Sequence, residues 1–306
     1  MNMNEKKQAE LRGRYQNAID QFINKKKDDI NVIAVILSGS VAYDVIWEKS
    51  DVDITIVIRD QKIKSEFLSI VEDDITFNLF LIQRSSFKRG MERAIGGSIW
   101  QSYVANGKIL YTTDDSLYDF FEDIKKIGDD DISLTALYLA CDLISTMQKV
   151  EKWIYARNDL LYAQYFLLKT AESIANMELC IRGIPTSRSA IQKAISLNPD
   201  IMRFFYQEPL EKLLTREELI DKVKKLDLYI EDKIDIFKKP VLEYLSDQEI
   251  KTASMIANDL DSNDHFIITI LDYLADKSVI EKAYQPIKLT PKSRLSVEEI
   301  GFLYIP

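Results

Sequence analysis

The chain has 306 residues, 46% of them hydrophobic, and only 9 glycines and 7 prolines. That supplies a sizeable core and enough length for two or three domains, which excludes general disorder. The formal charge is −9 and the pI about 4.9, so the chain repels phosphate backbones rather than neutralising them, which argues against a nucleic-acid binder.

No apolar run approaches the ~18 residues needed to cross a bilayer, and the opening "MNMNEKKQAELRGRYQ" is charged, without the apolar stretch of a secretory signal. A cytoplasmic location with no membrane contact is expected. Cys141 and Cys180 stand in helix-like apolar surroundings, where a thiol packs as a small hydrophobe.

In chain order, residues 5–27 read as a polar helix ending in three lysines. "NVIAVILSGS" (31–40) is an apolar run closed by small residues, the pattern of a strand covered on both faces. "DVDITIVIRD" (51–60) is rich in β-branched residues and reads as a second strand, and "DITFNLFLIQ" (74–83) as a third. Glu72, Asp73 and Asp74 read as a polar loop ahead of it. A helix is expected from Ser85 or Ser86, and "GKILYTTDD" (107–115) as a short edge strand running into a turn. Residues 1–115 are therefore expected to form one small α/β domain.

From 133 to about 238 the apolar period is helical. Two stretches are long enough for five or more turns, and the second stops at Gly183 with Pro185 beyond. Thr215 and Glu218 form a capping-box pattern. Residues 116–239 are expected to be an antiparallel helical bundle. Residues 240–306 offer three short helices and then strand–turn–strand, the order of a winged helix. This tail holds 11 acidic against 6 basic residues. Its would-be reading helix, "SNDHFIITILDYLADK" (262–277), is acidic and apolar where a groove reader is basic. A protein partner or a homodimer contact is expected of this module in place of DNA. The fold class expected is thus α+β: an α/β domain with a mixed sheet, an all-α bundle and a winged-helix-like tail. His265 is the one histidine, read as a surface or packing residue, and a Ser-His-Asp triad or a His-rich zinc site cannot be assembled around it.

The chemistry gathers at residues 39–53. Asp51 and Asp53, two apart on a strand, point to the same face, with Val52 turned to the core. Two adjacent carboxylates repel unless a cation lies between them or one is protonated. Hard oxygen ligands of this kind suit Mg²⁺, which leaves room for waters and substrate phosphates. Gly39 and Ser40 close the first strand where a helix begins, so that bare backbone, helix N-terminus and hydroxyl can meet a phosphate. Phosphate donors beside metal ligands are the equipment of phosphoryl or nucleotidyl transfer.

Gly39-Ser40, a ten-residue spacer and Asp51-Val52-Asp53, with Ser50 just before, resemble the signature of the polymerase-β nucleotidyltransferase superfamily. The likeness is nearest to its minimal and aminoglycoside-type members, and it covers residues 30–115 well and the bundle in outline. It implies an NTP, with ATP as the expected nucleotide, transferring its NMP to a hydroxyl of an antibiotic-like small molecule or a protein. By the same resemblance, Gly39, Ser40 and Ser50 would hold the triphosphate, and Asp51 and Asp53 would ligate two Mg²⁺. One position departs from the pattern. The superfamily's third carboxylate, on the following strand, falls at Asn78, which can ligate but cannot take a proton. Some relatives draw the base from the helical domain. Glu172 is the candidate here, on a helix face shared with Tyr162, Tyr165, Lys169 and Asn176. The plainer account of that face is a solvated stripe with an i,i+3 pair. The alternative reading of the whole is a nucleotide-binding regulatory or interaction protein with weakened catalysis.

Overall fold

The apolar run after residue 31 forms β1 (Val32–Ser38), buried along its whole length. It pairs antiparallel with β2 (Val52–Ile58), where Asp53 alone is not fully buried. β4 (Ile75–Gln83) runs parallel to β2, and β3 (Phe67–Glu72) closes that edge antiparallel to β4. β5 (Lys108–Thr112) closes the other edge against β1. The sheet is therefore mixed and five-stranded, in the order β3-β4-β2-β1-β5. Asp73 and Asp74, with φ of 51° and 57°, make the two-residue turn between β3 and β4, a left-handed pairing that suits short polar side chains.

This computed structural model describes residues 3–42, 46–93, 107–124, 128–185, 189–260 and 264–306, which fall into two compact units, Met1–Ile127 and Gly128–Pro306. In the first, α1 (Met3–Lys26) turns Tyr15, Ala18, Ile19 and Phe22 onto one sheet face with Val35, Leu37, Ile54 and Phe77, at the 3-4 spacing an amphipathic helix needs. On the opposite face, Phe87 of α3 (Arg84–Arg93) and Leu117 and Phe121 of α4 (Ser116–Ile124) pack with Ala34, Ile36 and Val57. The helix that begins at 116 thus completes the α/β core. Arg84 ties the end of β4 to the turn after β5, its Nε and Nη2 donating to Asp114 Oδ2 at 2.8 and 2.5 Å.

The second unit is built on α5 (Asp129–Tyr155) and α6 (Leu160–Cys180), which pack along each other. Cys141 and Cys180 are buried between apolar neighbours; burial pushes both thiols up, Cys180 to about 12. α7 (Ala190–Leu197), α8 (Pro199–Met202), a π-helical turn (Arg203–Gln207) and α9 (Glu208–Glu211) lead to α10 (Arg216–Glu231). The capping box at the start of α10 forms as its sequence predicts, Thr215 and Glu218 each accepting from the other's backbone N–H. Glu178 is buried and accepts from Arg182, Asn198 and the Tyr229 hydroxyl, at 2.9, 2.9 and 2.8 Å. It is thus a polar hub with its partners in place, as a buried charge requires.

α11 (Ile234–Phe237) and α12 (Lys239–Tyr244) lead into the tail, where β6 (Lys251–Thr252), α13 (Ala253–Asp259), α14 (Asp264–Asp276), β7 (Glu281–Ile287) and β8 (Val297–Leu303) follow in winged-helix order. The small sheet runs β6-β8-β7. The core does not break at residue 240. Val241, Ile256, Ile267, Ile270, Leu274 and Phe302 share one cluster with Leu137, Ile144 and Leu226 of the bundle. α14, where a groove-reading helix would stand, packs on α5, with the Phe266 ring 6.4 Å from that of Tyr138. Its Tyr273 hydroxyl donates to Asp227 Oδ1 at 2.9 Å. The side chain of His265 lies outside the described residues. No helix among the described residues is long and apolar enough to cross a membrane.

Candidate functional site

The sheet face bearing Ala34, Ile36 and Val57 is apolar under α3 and α4, and turns polar towards the start of β2. Register puts Ser38 opposite Asp53 on one side and Asn78 beside Asp53 on the other. Ser69 lies opposite Asn78 across the β3–β4 hairpin. Asp51, at the strand mouth, is exposed, and Asp53 and Asn78 are half-buried. The sequence-predicted carboxylates therefore do share one open face, with Val52 fully buried behind them.

Gly39 opens α2 (Gly39–Ala42) with φ of 69°, in the left-handed region. A Cβ built there would lie 2.2 Å from Asp53 Oδ2 and 3.1 Å from its Cγ. The glycine is thus required by the Asp53 carboxylate as well as by its own backbone angle. Asp53 Oδ2 faces the Gly39 backbone, and Ser40 is exposed on the first turn beside it. Asp53 Oδ1 faces the other way: Asn78 Nδ2 lies 3.4 Å from it and donates to Asp51 Oδ2 at 2.5 Å. Asn78 Oδ1 accepts from Ser69 Oγ at 3.1 Å. The amide expected as a ligand thus presents its NH₂ to the acids and its oxygen to β3.

Ser50, expected at the triphosphate, is buried, and its hydroxyl accepts from Trp47 N–H at 3.0 Å inside the turn that precedes Asp51. Tyr15 of α1 pins that turn, its hydroxyl donating to the Ser50 carbonyl at 2.5 Å. Burial, and more weakly the Asp51 charge, push the Tyr15 phenol up against the pull of Arg14. Beneath the acids, Ser38 and Thr55 are each 1% exposed, and among the described residues their hydroxyls have no hydrogen-bond partner. A buried polar atom left in this way is uncommon and calls for an account.

Glu172 belongs to the second unit. It lines a polar groove of about 340 Å³ between α5 and α6, with Asp142, Lys149, Lys169, Ser173 and Asn176. Ser173 Oγ donates to Asp142 Oδ2 at 2.5 Å. Tyr162 and Tyr165, expected on the same face, line a separate apolar groove with Leu161 and Leu168.

Asp51 and Asp53 offer hard carboxylate oxygens on one sheet face, a donor chemistry that fits Mg²⁺. Among the described residues no three His, Cys, Asp or Glu side chains gather into a metal-binding group. Tyr15, Ser38, Thr55 and Ser69 were not singled out by sequence reasoning. Ser38, next to Gly39-Ser40, is the one of them whose position marked it.

No protein-family model matches the chain, and no curated protein matches its sequence. Among solved structures it is similar to the "nucleotidyltransferase-like protein from Exiguobacterium sibiricum 255-15", with a TM-score of 0.68 and 14% identity over 95% of this chain and 100% of that one. At that identity the likeness is one of fold. The chain is α+β: an α/β domain of nucleotidyltransferase fold, a helical domain and a winged-helix-like tail.

Proposed function

We propose that the protein is a Mg²⁺-dependent nucleotidyltransferase that moves an NMP from an NTP, ATP being the expected nucleotide, to a hydroxyl of an antibiotic-like small molecule or of a protein. The observation that carries this reading is the interlock of Gly39 with Asp53, which holds a bare backbone turn against one oxygen of a carboxylate pair at the strand mouth. An ordinary pair of surface acids has no use for such a fit. In the reaction the acceptor oxygen bonds to the α-phosphorus, the bond to the β-phosphate oxygen breaks, and pyrophosphate leaves. Gly39 and Ser40 take the triphosphate, and Asp51 and Asp53 hold the metal. Mg²⁺, when bound, neutralises phosphate charge and fixes its orientation. The acceptor proton needs a base, and Asn78 cannot take it. Glu172, in its groove with Lys149 and Lys169, is the carboxylate assigned that role.

A second reading, nucleotide binding without turnover, is favoured by the Asn78 amide standing where a third acid would serve. Pyrophosphate release in the presence of Mg–NTP and hydroxyl-bearing acceptors separates the two. The enzyme reading expects release that falls by at least roughly tenfold in Glu172→Gln, as loss of a general base does, with nucleotide affinity retained. Bound nucleotide with no release from any acceptor would leave the second reading in its place.

A further inference from the structure

The outer side of β3 is not built like a protected sheet edge. β3 ends the five-stranded sheet, with β4 on one side and no strand on the other. The Leu81 N–H donates to the Glu66 carbonyl at 2.7 Å. Antiparallel alternation from that pair turns the backbone N–H and C=O of Phe67, Ser69 and Val71 away from β4. The Ser65 hydroxyl meets those of Phe67, and Ser69 and Val71 present theirs outward. Side chains add to this. Phe67 and Val71 are 68% and 69% exposed, and Leu68, on the other face, 45%. Proteins blunt such an edge with a lysine, a proline or a bulge within the strand. Phe67–Glu72 has no lysine or proline, and its register against β4 is unbroken. Its one charge, Glu72, pairs with Lys25 of α1.

Charge says what fits this edge. Lys62 and Lys64 precede the strand and Asp73 and Asp74 follow it, all four exposed, with Glu66 the one acid at the lysine end. Read in the opposite direction, the pattern is its own complement. A second copy laid antiparallel brings lysines beside aspartates at both ends, whereas a parallel copy brings like charges together. Centred on Ser69, the pairing sets Phe67 of each copy opposite Val71 of the other, apolar on apolar. Glu66 then faces Glu72, whose charge Lys25 already offsets. Each copy uses the same edge, so the contact is isologous and closes at two subunits.

We propose that the protein associates with a second copy of itself by antiparallel pairing of β3 with β3, which joins the two five-stranded sheets into one. This stands independently of the nucleotide reading, and it places the self-contact in the α/β unit and not in the tail. A contact built on one strand pair is small, so the association is reversible.

Sedimentation equilibrium of the full chain over roughly 1–200 µM, the range in which small interfaces exchange, reads the association directly. Hydrogen exchange of the Ser69 and Val71 amides locates it. Wild type is expected to show a monomer–dimer equilibrium, with protection of those two amides rising with concentration. Val71→Lys, at an exposed position, should melt as wild type does and stay monomeric. Lys62→Glu/Lys64→Glu should weaken the dimer at least about tenfold by setting acids on acids. Adding Asp73→Asn/Asp74→Asn, which keeps side chains suited to the left-handed turn, should recover part of the loss. A wild type that is monomeric throughout would overturn the proposal. So would a dimer that Val71→Lys leaves intact, or one that leaves Ser69 and Val71 unprotected, since the contact then lies elsewhere. A lysine-reversed variant that dimerises as tightly as wild type would also overturn it, by removing the charge match that sets the antiparallel sense.

Discussion

Gly39 and Asp53 are 14 residues apart in sequence and yet each dictates the other. The carboxylate can lie against β1 because residue 39 has no side chain, and residue 39 can take a φ of 69° for the same reason. Gly39→Ala meets both barriers at once. It should cost about 1–3 kcal/mol of strain and displace Asp53, so thermal melting is expected to fall by several degrees while Mg-dependent nucleotide binding is lost. A variant with wild-type melting and binding would show that the carboxylate yields freely and that the interlock is incidental. Asp114 is the second residue with a clear consequence. The Ser116 hydrogen bond first, and then Arg84, hold its carboxyl below the ordinary 3.8. A folded value below the unfolded one means stability that is fully present above the unfolded value and lost as pH falls through the folded one. Asp114→Asn should therefore be less stable than wild type at neutral pH, and the two denaturation midpoints should converge below about pH 4. A gap that persists at pH 2 would mean the contact does not act through charge.

Among the elements, β1, β2, β4 and β5, the long helices and the capped start of α10 were legible, because apolar period, β-branched runs and caps are local signals. β3 was not. Its residues Phe67, Leu68 and Val71 are exposed at an edge, so burial imposed no alternation to read. With β3 went Ser69, although the two-residue turn at Asp73 and Asp74 fixes its register: Glu72 opposite Ile75, and hence Ser69 opposite Asn78. Ser50 shows the converse. Its place beside Asp51 suggested a phosphate ligand, and the fold uses its hydroxyl to close a turn. Sequence spacing identifies which residues share a face; it does not say which donor each hydroxyl meets. The π-helical turn at Arg203–Gln207 was equally invisible. Buried Lys222 donates there to the Phe204 carbonyl, its ammonium 3.6 Å from the ring centre, a tertiary solution with no local signature.

At the scale of the whole chain, the tail keeps the order of a winged helix but lends its helices to the bundle core. In this module the helix standing where a groove reader would stand packs against α5. A chain ended after residue 239 should therefore lose Ile267, Ile270, Leu271 and Leu274 from the core that holds Leu137 and Ile144. Each such side chain contributes roughly 1.5–3 kcal/mol by burial, so the four together contribute an amount comparable to the ~5–15 kcal/mol that holds a typical domain. Size-exclusion and thermal melting of the truncated chain should show aggregation or loss of the cooperative transition. A monomeric bundle melting as in the full chain would contradict the shared core.

The α/β unit carries the central claim, that Asp51 and Asp53 with the Gly39 turn form a metal–triphosphate site. Calorimetry of the full chain with ATP, GTP, CTP and UTP, each with and without Mg²⁺, tests it most directly when repeated on Asp51→Ala/Asp53→Ala. The prediction is Mg-dependent binding of at least one nucleotide to wild type. The double variant should lose that binding and melt no lower, because it removes two neighbouring like charges. Absence of any nucleotide binding to wild type, or equal binding by the double variant, would contradict it.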